Sequence, residues 1–194
     1  MTNLRGFILV VDDEQRNRRL LRQLLEAEGH RVSEAEDGAA ALECVDRSPP
    51  DVILLDLSMP KVDGFEVCRR VKQTPATAHI PILLISALTE REDRLRGIEA
   101  GADDFIAKPI DQQEVLLRVR NAVHRQHLYV ELQSKYKELR DMAELRDSLT
   151  SLINADTEAL SSLMSQRSQP ERAVDGKSDG VDGSPQEGGG YGAH

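Results

Sequence analysis

The chain has 194 residues, 39% of them hydrophobic, and a formal net charge of -9. That length fits one ordinary domain plus an extension, and the acidic balance excludes a general binder of nucleic acid. Two cysteines, Cys44 and Cys68, build no disulfide framework and sit at no metal-ligand spacing, and neither a signal peptide nor a run of 18 apolar residues is present. A protein of the reducing cytoplasm, not exported and not in a membrane, is expected.

Phe7-Ile-Leu-Val-Val11 reads as a buried strand and runs into Asp12-Asp13-Glu14. Residues 15–28 place Leu20, Leu21, Leu24 and Leu25 at helical spacing, and Gly29 is a natural stop. Residues 31–35 form a weak strand, and 38–47 a short helix with Ala39, Leu42 and Val45 on one face. Then comes Val52-Ile-Leu-Leu-Asp56, bounded by Pro49-Pro50 and by Met59-Pro60 with Gly64 following. A short apolar run between turn residues is a strand buried on both faces. Its closing carboxylate is costly there unless a cation or a reaction uses it. A helix over 64–73 buries Phe65, Val67, Cys68 and Val71. The fourth strand, 80–85, ends in Ser86-Ala87. A thinly apolar helix covers 89–100 and is closed by Gly101. The fifth strand, 104–107, ends in Lys108-Pro109, and Asp111 caps the helix after it.

Strand and helix alternate five times, which predicts a parallel α/β sheet with helices on both faces. Four strands then bring Asp12-Asp13, Asp56, Ser86 and Lys108 to one sheet edge, where ligands of open α/β sheets bind. Carboxylates with a lysine and a hydroxyl suit Mg²⁺ plus a phosphoryl group: a hard cation takes oxygen ligands, and the ammonium and hydroxyl hold phosphoryl oxygens.

These residues resemble the receiver domain of two-component response regulators, over residues 6 to about 124. The match rests on Asp12-Asp13, Asp56, Met59-Pro60 with Gly64, Ser86-Ala87, Phe105 and Lys108-Pro109. The resemblance implies a (βα)5 flavodoxin-like fold, a doubly wound parallel sheet of order 2-1-3-4-5. It implies that Asp13 and Asp56 coordinate Mg²⁺, with Asp12 acting largely through water and the Ser58 backbone carbonyl as a further ligand. Asp56 is the expected phosphoacceptor for a histidine kinase, with Lys108 and Ser86 on the phosphoryl oxygens. Ser86 and Phe105 are the expected switch pair, and Lys108-Pro109 the expected cis peptide. Phe105 is equally well read as a core aromatic. A dehalogenase-type phosphohydrolase also uses a strand-end Asp, but it needs a second acid where Ser58 stands.

From Asp111 to about Met164 there is no Pro or Gly. Leu128, Leu132, Leu139, Met142, Leu149 and Ile153 fall on heptad a and d positions, with Lys135 and Arg146 interrupting the seam. One long helix, or two with a break near 140–147, is expected to form a parallel homodimeric coil over about 125–160. A solvated or folded-back helix is the alternative. Residues 145–156 resemble the start of a histidine-kinase dimerisation helix, with Ala155 where its His would stand. They also resemble the entry to diguanylate cyclase domains through Asp147-Ser-Leu-Thr150, with Ser151 for the usual Gly. A degenerate or truncated output segment is therefore expected, without catalytic output. A constitutive dimeric scaffold is the rival reading. His124 and His127, three apart, read as exposed polars rather than as a metal site. The expected division is a receiver over 1–124, a coiled-coil extension over 125–165 and a disordered tail over 166–194.

Overall fold

A computed structural model of the chain describes residues 4–59, 63–87 and 91–167; for residues 91–94, 163 and 165–167 it describes the backbone alone. Residues 60–62 of the Met59-Pro60 turn and the expected tail from 168 onward lie outside the described residues. The elements are β1 Phe7–Val11, α1 Gln15–Ala27, β2 Arg31–Ala35, α2 Gly38–Arg47, β3 Val52–Asp56, α3 Gly64–Gln73, β4 Ile82–Ser86, α4 Arg91–Glu99, β5 Asp104–Ala107 and α5 Gln112–Arg167. The five strands are parallel, in the order β2-β1-β3-β4-β5.

Alternation along each strand divides the core in two. Ile8, Val10, Val52, Leu54, Leu83 and Ile85 point to one face, against Leu21 and Leu25 of α1 and Val115, Val119 and Val123 of α5. Leu9, Val11, Ile53, Leu55 and Leu84 point to the other, against Ala41 and Val45 of α2 and Val67, Cys68 and Val71 of α3. Every residue of β3 and β4 is buried, as strands covered on both faces must be. β2 is one of the two edge strands, and its Arg31, Ser33 and Glu34 keep access to water.

Two chain reversals require glycine. Gly29 and Gly101 end α1 and α4 at φ of 87° and 93°, a region that L side chains disfavour. The Asp37 side chain accepts from Ala40 N at the start of α2. Asp111 accepts from Gln113 N and Glu114 N, capping α5 as its sequence position anticipated.

The described residues divide into two units, one up to residue 141 and one from residue 142 onward. α5 is one continuous helix of 56 residues; the alternative break near 140–147 is not found, because no Gly or Pro interrupts its backbone hydrogen bonds there. Within the first unit α5 goes on packing against the α/β core beyond residue 124. Gln126 is 3% exposed, and the Tyr129 ring stacks on His79 with centroids 4.8 Å apart. No helix among the described residues is long and apolar enough to cross a membrane.

Candidate functional site at the carboxyl edge of the sheet

β1 and β3 are neighbours, so the groups that follow them meet. Asp12, Asp13 and Asp56 each offer a carboxylate oxygen, and these oxygens lie within 4.8 Å of one another. Asp12 and Asp56 are each 1% exposed, while Asp13 faces solvent. Lys108, at the end of β5, donates from Nζ to Asp56 Oδ2 at 2.8 Å and stands 3.8 Å from Asp12 Oδ2. Its aim is set by the strand end: Lys108 N donates to Ser86 O at 2.8 Å, and the Lys108-Pro109 peptide is cis, as expected. Ser58 N donates to Asp56 Oδ1 at 3.3 Å.

Among the described side chains, the carboxylates clustered here outnumber the ammonium that touches them. Burial raises the Asp12 carboxyl above its ordinary 3.8, and the nearby Asp56 adds to the rise. Hydrogen bonds from Glu14 N and Asn17 and the charge of Lys108 offset part of it. Burial alone would lower the Lys108 ammonium, but its hydrogen bond and charge pairing with Asp56 and Asp12 leave it above 10.5. Three carboxylates face one ammonium. A hard divalent cation with oxygen ligands fits that donor set.

Ser86 is buried at the end of β4, next to the pairing of Asp56 with Ile85. Phe105 pairs with Leu84 and is half-buried, its ring under Gly97 of α4. A Cβ on Gly97 would lie 2.5 Å from Phe105 Cε1, so this ring position depends on the glycine. Among the described residues, His124 and His127 join no cluster with metal-ligand geometry.

Two supporting side chains were not legible in the sequence. Asn17 donates from Nδ2 to both Asp12 carboxylate oxygens, at 3.3 and 3.1 Å. Arg18 donates from one terminal nitrogen to the carbonyls of Asp12 and Asp13, at 2.7 and 3.0 Å, and its Nε is 3.6 Å from Glu34. Both lie in the first turn of α1. The available signal was their spacing, five and six residues after Asp12, which becomes informative only once the turn's direction is known. Arg96 of α4 reaches across to α3, with its guanidinium 4.5 Å from the Phe65 ring centre and 3.6 Å from Asp63.

A five-stranded parallel sheet of this order, with strand-end carboxylates facing a lysine, defines a class of phosphoryl-accepting α/β switch. Residues 8–120 match the response regulator receiver domain, and the chain belongs to that family. Phosphorylation and the use of Mg²⁺ are general to it. The chain is 54% identical over 114 residues to response regulator PleD of Caulobacter vibrioides, a match covering 59% of this chain and 25% of PleD. It is 48% identical over 118 residues to the transcriptional regulatory protein ResD of Bacillus subtilis, covering 61% of this chain and 48% of ResD. A response regulator structure from Chloroflexus aurantiacus superposes with a TM-score of 0.59 at 35% identity, over 61% of this chain and 98% of that one. The chain thus spans a quarter of PleD and about half of ResD.

Proposed function

We propose that Asp56 accepts a phosphoryl group from the phosphohistidine of a histidine kinase, with Asp12, Asp13, Asp56 and the Ser58 backbone carbonyl holding Mg²⁺. The observation that carries this reading is the Asp56–Lys108 hydrogen bond of 2.8 Å inside the buried carboxylate cluster. An oxygen of Asp56 forms the new P–O bond as the P–N bond to the kinase imidazole breaks, and the nitrogen keeps the electron pair. Bound Mg²⁺ supplies charge neutralisation for the phosphoryl oxygens. Lys108 exchanges its bond to Asp56 for one to a phosphoryl oxygen, and the Ser86 hydroxyl donates to another. In this reading Phe105 passes a movement of Ser86 on to α4, and the closeness of its ring to Gly97 supports that role.

The residues before about 125 form the switch in this reading, and α5 beyond them pairs with a second copy. The chain acts in the cytoplasm through protein contacts, with no catalytic output beyond turnover of its own aspartyl phosphate. The transcriptional regulatory protein ResD and the DNA-binding transcriptional regulator RpaA of Synechocystis match this chain over 118 residues each, about half of their own lengths. No nucleic-acid role is assigned to the described residues.

Incubation with acetyl phosphate and Mg²⁺, followed by intact-mass measurement, tests the proposal. One phosphoryl adduct is expected on the native chain, and none on Asp56→Asn or in excess chelator. An adduct of equal yield in either control would sink the assignment.

A further inference from the structure

Residues 142–160 of α5 carry an apolar stripe that no described residue of the chain covers. Met142, Leu145, Leu149, Leu152, Ile153 and Leu160 are between 50% and 64% exposed. Asp147, Ser151, Asn154 and Glu158 occupy the opposite arc. An isolated helix with such a stripe needs another surface to bury it.

The charges inside the stripe say which surface. In heptad notation Arg146, Ile153 and Leu160 take the a positions, and Met142, Leu149 and Asp156 the d positions. Two opposite charges therefore stand in the seam. In a parallel pair of copies each seam position meets itself, so Arg146 faces Arg146 and Asp156 faces Asp156. Like charges at a seam weaken it. In an antiparallel pair, a positions face d positions. If the helices cross at Ser151, Arg146 faces Asp156 of the second copy, Leu149 faces Ile153 and Met142 faces Leu160. Two-fold symmetry repeats the three layers beyond the crossing. A shift of one heptad sets Arg146 opposite a leucine and leaves both charges unpaired.

The flanks agree. Leu145, Leu152 and Ala159 take the g positions, Thr150 and Thr157 the e positions. Antiparallel helices set g beside g, joining the leucines of both copies along one border. Parallel helices would set Leu145 and Leu152 beside threonines. In the single chain Arg146 bonds its neighbour Asp147 at 2.8 and 3.0 Å, with side chains 75% and 71% exposed. Such a solvated pair contributes little and gives way to a seam partner.

We propose that residues 142–160 pair with the same segment of a second copy as an antiparallel two-helix coil centred on Ser151, with two intermolecular Arg146–Asp156 ion pairs. This rests on the reading of α5 as a self-pairing helix and is independent of the phosphoacceptor assignment.

Cysteine cross-linking of the full chain reads the polarity. The background is Cys44→Ser; Cys68 is retained because it is buried, with its thiol pushed up to about 11. Chains with Met142→Cys and chains with Leu160→Cys are mixed and oxidised. A disulfide-linked dimer is expected only in the mixture, since like positions stand about 27 Å apart along an antiparallel pair. Self-cross-linking of Met142→Cys alone overturns the polarity.

A charge exchange gives a second arm that needs no new thiol. By sedimentation equilibrium, Arg146→Asp should weaken the dimer about tenfold or more, and Asp156→Arg added to it should restore most of the loss. No restoration overturns the antiparallel register. A native chain that stays monomeric at every concentration overturns self-pairing itself.

Discussion

Asp12 stands where its charge is costly. It is 1% exposed, and burial raises its carboxyl above the ordinary 3.8. A folded-state value above the unfolded one means that the native state binds the proton more tightly. The associated stability is present below 3.8 and is lost as pH rises through the folded value, so at pH 7 ionised Asp12 destabilises the fold. Asp12→Asn keeps an acceptor for Glu14 N and removes the charge. It should stabilise the metal-free protein at pH 7, by about 1 kcal/mol, a gain that fades as pH approaches 3.8. The same variant should bind Mg²⁺ more weakly. Thermal melts at several pH values, with and without Mg²⁺, measure both effects; no difference in melting between the two chains at pH 7 would contradict the argument. Asp12, Asp13, Asp56 and Lys108 were legible as a site because strand ends in a parallel sheet converge whatever their loops do. Asn17 and Arg18 were not, since a polar residue early in a helix has many possible partners and only the folded turn selects one.

At the scale of elements, unbroken apolar runs and their glycine stops located the strands and the helix ends of the α/β domain. Both edge strands fall where they were expected, and the one displaced strand lies beside a proline. The fourth strand, expected from Ile80, begins at Ile82, because Pro81 has no N–H to pair. α5 is the instructive case. Its continuity could be read from the lack of Pro and Gly, but the extent of its docking could not. That depends on His79, fifty residues earlier, in the connection before β4. The connection is itself held down: Lys72 Nζ donates to the carbonyls of Ala78 and Ile80 and to Asp103 Oδ2, at 3.2, 2.8 and 2.7 Å. Asp103 Oδ1 also lies 3.7 Å from Arg125 of α5. A chain ending after Arg125 loses Gln126 and the Tyr129 stack, whereas one ending after Leu132 keeps both. The shorter chain should be less stable, by about 1–2 kcal/mol in urea unfolding. Equal midpoints and slopes for the two would show that α5 contributes nothing past residue 125.

For the molecule as a whole, the two units differ in what holds them together. Residues before 142 share a sheet with two buried cores. Between 142 and 167 the described residues form a single helix whose large apolar side chains stay exposed. A helix of that length without a packed face is marginal in water. Unfolding of the full chain should therefore not be one two-state event. Thermal melting followed by far-ultraviolet circular dichroism is expected to show two transitions. The lower one removes helix from the segment beyond 141, and its midpoint should rise with chain concentration, because pairing with a second copy follows mass action. The upper one belongs to the receiver and should not depend on chain concentration. Mg²⁺ at a hundredfold excess over its dissociation constant should add about 2.7 kcal/mol to the receiver. For a domain of this size that is a shift on the order of 10 °C. Asp56→Asn should lose most of that shift and leave the lower transition where it was, since no residue of the carboxylate cluster lies beyond 141. A single transition that moves with both Mg²⁺ and chain concentration would instead show that the receiver and the helix beyond residue 141 unfold as one.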